Sequence, residues 1–147
     1  MPAYLRALAS RNYRIYFAGQ IVSLAGTWMQ QIAMVWLAYR LTGSALVLGT
    51  VAFASQIPIL VFSAFGGVIT DRLDRRRLLL ATQALSMVQA LLLAVLAWLD
   101  MATPAHLIVL AFGLGCINAL DVPARQAIVV QLIDDKADLP NAIALNS

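Results

Sequence analysis

Three groups of residues in this chain have types and spacings that can do chemistry. The first is a run of charge containing Asp71, Arg72, Asp74, Arg75, Arg76 and Arg77, preceded by Gly67. The second is Asp121 with Arg125 four residues later. On a helix, residues four apart share a face, so this acid and this guanidinium can pair. Arg75 stands in the same relation to Asp71 if the chain stays helical between them. At a membrane edge a buried charge is costly unless it is paired. The third group is uncharged: Gln20, Ser23, Thr27, Gln30 and Gln31, then Gln56, then Gln83, Ser86 and Gln89, then Asn118. On helices these side chains offer hydrogen bonds to a neighbouring helix or to a small molecule in a cavity. In the first stretch, Gln20, Ser23, Thr27 and Gln30 or Gln31 recur at about one or two helical turns and are expected on one face.

Other chemistries are missing from the list. There is no phosphate-binding loop, no zinc-ligand spacing and no nucleophile triad, so an enzyme is not expected. The single cysteine, Cys116, cannot form an internal bridge and reads as a small packing residue. His106 sits at the outer end of the fourth apolar run and reads as an interfacial residue.

The elements that must position these groups follow from composition. Of 147 residues, 62% are hydrophobic and 12% charged, against roughly 45–50% and about 25% in a soluble domain. Mean hydropathy is +0.84. Disorder is excluded by the same arithmetic. Charge is absent for 25 residues between Arg14 and Arg40, 30 between Arg40 and Asp71, 22 between Arg77 and Asp100, and 20 between Asp100 and Asp121. A spanning helix needs about 20 such residues. The expected fold is therefore all-α and polytopic, with transmembrane helices near 13–41, 44–70, 77–99 and 105–120. None of the runs alternates as a barrel strand would, and the first is far too long for a signal-peptide core.

Nine of the ten basic residues lie on one side of this arrangement: Arg6, Arg11, Arg14, Arg72, Arg75, Arg76, Arg77, Arg125 and Lys136, with Arg40 alone opposite. The positive-inside rule makes that side cytoplasmic and places the N-terminus there. The pI near 9.5 then has a membrane explanation, and nucleic acid is not an expected partner. After the fourth span, Pro123 either kinks the helix or opens a new one. Residues 121–138 read as a cytoplasmic segment with a short helix over 124–133. Asp138, with Pro140 just inside, is a cap candidate for a fifth helix whose start is 139–147.

The charge run carries a family resemblance. Gly67, Asp71, Arg72, Arg75 and Arg76 are similar, in type and offset, to the signature loop between the second and third helices of the major facilitator superfamily. Asp74 stands where a glycine is more usual. Arg11-Asn12-Tyr13-Arg14, Gln20, Thr27-Trp28-Met29-Gln30-Gln31, Leu41-Thr42-Gly43-Ser44, Pro123-Ala124-Arg125-Gln126-Ala127 and Asn141-Ala142-Ile143-Ala144-Leu145-Asn146 resemble the bacterial branch of enterobactin-exporter-like permeases. The resemblance implies a twelve-helix fold of two six-helix halves, of which this chain is an N-terminal part. It implies that Gly67, Asp71, Arg72, Arg75, Arg76, Asp121 and Arg125 form a cytoplasmic gating motif. It also implies that spans one and four border the central cavity. That makes Gln20, Gln30, Gln31 and Asn118 the substrate-cavity candidates, ahead of Gln83 and Gln89.

The expected function is that of a secondary transporter exporting small amphipathic organic molecules, of drug or siderophore type, by alternating access. Its partners are the lipid bilayer, the substrate and the remaining helices of the same transporter, in a bacterial inner membrane. No cofactor or metal is expected, and a proton or other ion gradient is the expected driving force. No charged residue lies mid-span, so any coupling carboxylate in this chain is Asp71 or Asp121 at an edge. The competing reading is a complete four-helix protein, either a small oligomeric exporter or an assembly subunit. Small four-helix exporters rely on a membrane-embedded Glu, and this chain contains no Glu.

Overall fold

The computed structural model describes residues 11–132, apart from the side chains of residues 64, 66, 68, 69, 71, 131 and 132. The expected fifth helix at 139–147 and the end of the 121–138 segment lie outside the described residues. Four helices make up the rest: α1 Arg11–Thr42, α2 Ala45–Arg72, α3 Arg75–Trp98 and α4 Pro104–Leu132. Each is long and apolar enough to cross a membrane. Their outer surfaces are greasy: Leu46 and Leu60 are each 81% exposed and Trp98 is 88% exposed. Such side chains facing water would forfeit their transfer energy, whereas facing acyl chains they do not. The chain is a multi-pass membrane protein.

Each hinge has a local cause. Gly43 ends α1 with a positive φ of 60°, and its N–H reaches the Tyr39 carbonyl at 2.8 Å. This left-handed stop suits a residue without Cβ. Asp74 caps α3, its carboxylate accepting from the Arg77 backbone N–H at 2.9 Å. The residue that departs from the family's glycine thus satisfies one of the free donors at the helix start. Thr103 caps α4 in the same way, accepting from the His106 N–H at 3.3 Å, with Pro104 at the first helical position.

The four helices are not equivalent. α4 packs most extensively on α2, then on α3, and α1 adheres more lightly. Leu107, Ala111, Leu114, Asp121, Ala124 and Ile128 are all buried. Their spacing in threes, fours and sevens lines one face of α4 toward its neighbours. Along that face, Gly115 brings α4 against α2. A Cβ there would collide with the Ser55 backbone oxygen and lie 3.0 Å from the Pro58 ring.

Gly67, which precedes the charge run, is not a point of close helix approach: an added Cβ there would meet nothing within 4 Å among the described residues. The crossing point is Gly115, because proximity depends on where helix axes meet and not on where a glycine ends a helix. Of the two alternatives at Pro123, the new helix is not found: α4 runs through the proline to Leu132, so the separate short helix expected over 124–133 is a continuation of α4 as far as it is described. Proline removes one backbone donor, which a long packed helix tolerates.

Candidate functional site

A cluster of polar side chains is built around Asp121, which is only 4% exposed. Burying a carboxylate is costly unless it is paired and hydrogen-bonded, and three donors meet it. The Arg125 Nε donates to Oδ2 from one turn along the same helix. On Oδ1, the Thr82 hydroxyl donates at 2.6 Å and the Gln83 amide nitrogen at 3.1 Å, both from α3. The Thr82 hydroxyl also lies 2.9 Å from the Leu79 carbonyl. It has one proton, and the ionised carboxylate is the stronger acceptor. The Gln83 amide oxygen in turn accepts from the Ser23 hydroxyl of α1 at 2.7 Å. One carboxylate therefore ties α4, α3 and α1 together.

The charged hinge reaches the same end of α4. Arg75 donates from Nη1 to the Ala127 carbonyl at 3.4 Å, so the first turn of α3 is anchored on α4 just beyond Arg125. Between Arg72 and Arg75 the chain leaves the helix, so Asp71 and Arg75 do not stand in the helical relation that spacing alone suggested. The Asp71 side chain itself lies outside the described residues. Arg72, Arg76 and Arg77 are exposed at this hinge.

The amides of α1 do not share one face. Taking 100° per residue, Gln20, Thr27 and Gln31 fall within about 40° of one another, while Ser23 and Gln30 lie about 60–80° further round. The structure uses that difference. Gln20 and Thr27 border a cavity of about 470 Å³ between α1, α2 and α4, along with Asn118, Asp121 and Arg125. Gln31 borders a second cavity of about 290 Å³ with Ser55, Gln56 and Asn118. Asn118 is common to both, so they form one seam. Gln30 instead turns toward α3, donating to the Gln89 amide oxygen, whose nitrogen donates to the Leu110 carbonyl at 3.1 Å. It borders a separate, almost wholly apolar cavity of about 310 Å³ between α1 and α3. Of the four cavity candidates, three lie on one seam and Gln30 does not.

Thr82 and Ser23 belong to the Asp121 cluster although neither was placed there from sequence. The available signal was that a buried acid needs more donors than one arginine supplies, but nothing along the chain says which helix provides them. Tyr16 is a further case: its hydroxyl is buried with no hydrogen-bond partner among the described residues. No group of three metal-binding side chains occurs among the described residues. His106 sits at the far end of α4, its ring 3.0 Å from the Thr103 hydroxyl. In the last turns of α1, Arg40 lies over the Trp36 ring at 5.3 Å, consistent with aromatic anchoring at an interface.

Comparison with known proteins agrees with this architecture. The family of transmembrane secretion effectors matches residues 3–147. The chain is 32% identical over 135 residues to the staphyloferrin A transporter of Staphylococcus aureus, covering 91% of this chain and 34% of that protein. It is 27% identical over 130 residues to macrolide efflux protein A of Streptococcus pyogenes, covering 85% and 32%. Over 94 residues it is 37% identical to the multidrug efflux pump Tap of Mycolicibacterium fortuitum, covering 62% and 23%. The chain spans about a third or less of the length of these relatives. No solved structure gives a significant match. With four spanning helices, the signature hinge between α2 and α3, and a family match over nearly its whole length, the chain belongs to the transmembrane secretion effectors of the major facilitator superfamily of transporters.

Proposed function

We propose that this chain works within a secondary transporter that exports small amphipathic organic molecules by alternating access, driven by an ion gradient across a bacterial inner membrane. The N-terminus, the α2–α3 hinge and the end of α4 face the cytoplasm, where the basic residues gather. The observation that carries the reading is the convergence of the hinge and the buried acid: Arg75 anchors on Ala127, just past the Asp121–Arg125 pair. Gly67, Asp71, Arg72, Arg75 and Arg76 form the hinge side of the gate, and Asp121 and Arg125 the α4 side. Opening the cytoplasmic face then requires these contacts to part.

The substrate path in this reading follows the seam between α1, α2 and α4, with Gln20, Gln31 and Asn118 as its hydrogen-bonding groups. Gln30 is set apart because its amide is engaged with Gln89. The named relatives act on a siderophore, macrolides and drugs, which supports an organic substrate of moderate size. The test is Asp71→Asn in the full-length transporter, with dye efflux and surface expression measured together. Efflux reduced roughly tenfold or more at normal expression is the expected outcome. Normal efflux removes the gating role, and loss of expression assigns Asp71 to assembly.

A further inference from the structure

The two members of the Asp121–Arg125 pair are not equally engaged. Asp121 is saturated in practice, with Thr82 and Gln83 on one oxygen, Arg125 on the other, and 4% of its surface exposed. Arg125 spends only Nε on that pair. Its two terminal nitrogens, with four N–H donors, have no hydrogen-bond partner among the described residues, although the side chain is only 15% exposed. Arg125 borders the 470 Å³ cavity, whose wall also carries Phe17, Gln20, Ile59, Asn118 and Gln126. The open fork belongs to a residue that lines the cavity, and its planar geometry matches a carboxylate with two parallel hydrogen bonds.

The geometry points to Arg125 as an anion-recognition residue of this cavity, taking the carboxylate of an amphipathic substrate on its two terminal nitrogens. Phe17 and Ile59 face the apolar body of the ligand, and Gln20, Asn118 and Gln126 offer amides to its other polar groups. Asp121 positions the guanidinium through Nε and is itself held by Thr82 and Gln83, so the fork points into the cavity and not back at its own acid. A cationic ligand would find the acid already shielded by three donors. The exposed arginines of the α2–α3 hinge at the same end add positive potential.

This assignment rests on the export reading and names its substrate class. The test compares binding to the purified full-length transporter in nanodiscs, without any gradient, of three probes on one scaffold: 2-naphthoate, 2-naphthamide and 2-naphthylmethylammonium. Calorimetry is expected to show naphthoate bound roughly tenfold or more tighter than the amide, with the ammonium weakest. Arg125→Gln should erase the preference for naphthoate over the amide, and Arg125→Lys should retain part of it. Equal affinities for acid and amide, preference for the ammonium, or an unchanged naphthoate preference in folded Arg125→Gln would each overturn the assignment. The wild-type series decides the matter even if Arg125→Gln does not fold. A protein with the carboxylate preference but no efflux would refute the export reading alone, and a working exporter without the preference would refute only the anion site.

Discussion

At the scale of single residues, Asp121 is the most constrained group described. Its pairing with Arg125 was legible from the chain because both sit on one helix, four residues apart. The donors from α3 and the onward link to Ser23 were not, because they depend on how α3 and α1 lie against α4. Thr82→Val keeps the shape and removes one donor from a buried carboxylate. It should destabilise the folded protein by about 1–3 kcal/mol, measured by thermal unfolding in detergent. In the Asp121→Asn background the same change should cost clearly less, because the acceptor charge is gone. Equal costs in both backgrounds would show that Thr82 does not serve Asp121.

At the scale of elements, α4 is the helix the others organise around, and Gly115 is the reason α2 comes so close. Gly115→Ala would drive a Cβ into the Ser55 backbone and the Pro58 ring, neither of which can rotate away. A destabilisation of about 1–3 kcal/mol is expected. Gly113, two residues earlier, has nothing within 4 Å of an added Cβ. Gly113→Ala should therefore be neutral or stabilising by about 0.5–1 kcal/mol through helix propensity. Similar melting shifts for the two variants would refute the crossing point. α1 is a different case. Two side-chain hydrogen bonds, from Ser23 to Gln83 and from Gln30 to Gln89, join it to α3. Bonds of this kind within membranes average about 0.6 kcal/mol, too little to lock a helix permanently. The element that borders the α1–α2–α4 seam is thus also the lightest held.

For the whole molecule, orientation is the property most open to a direct check. With four spans, both ends of the described chain share one side, which the basic residues assign to the cytoplasm. In a background with Cys116→Ala, Met101→Cys should react with an impermeant maleimide added outside intact cells. Asp74→Cys should react only after the membrane is opened. The reverse pattern would invert the topology and place the gate outside. The exposed Leu46, Leu60 and Trp98 surfaces require lipid in either orientation.

What the chain determined by itself was everything set by distance along it. Charge-free runs of 20 to 30 residues dictated four helices, and the hinges at Gly43, Asp74 and Thr103 follow from side chains beside them. The Asp121–Arg125 pair is a matter of helical pitch. Tertiary structure alone decided which helix faces meet. It split the α1 amides between two neighbours, put the close helix contact at Gly115, and brought Thr82, Gln83 and Ser23 onto a buried acid. The physical reason is that a bilayer makes nearly every apolar face acceptable toward lipid, so hydropathy marks a span without marking its inner side. Only packing, and the need of buried polar groups for partners, selects that side.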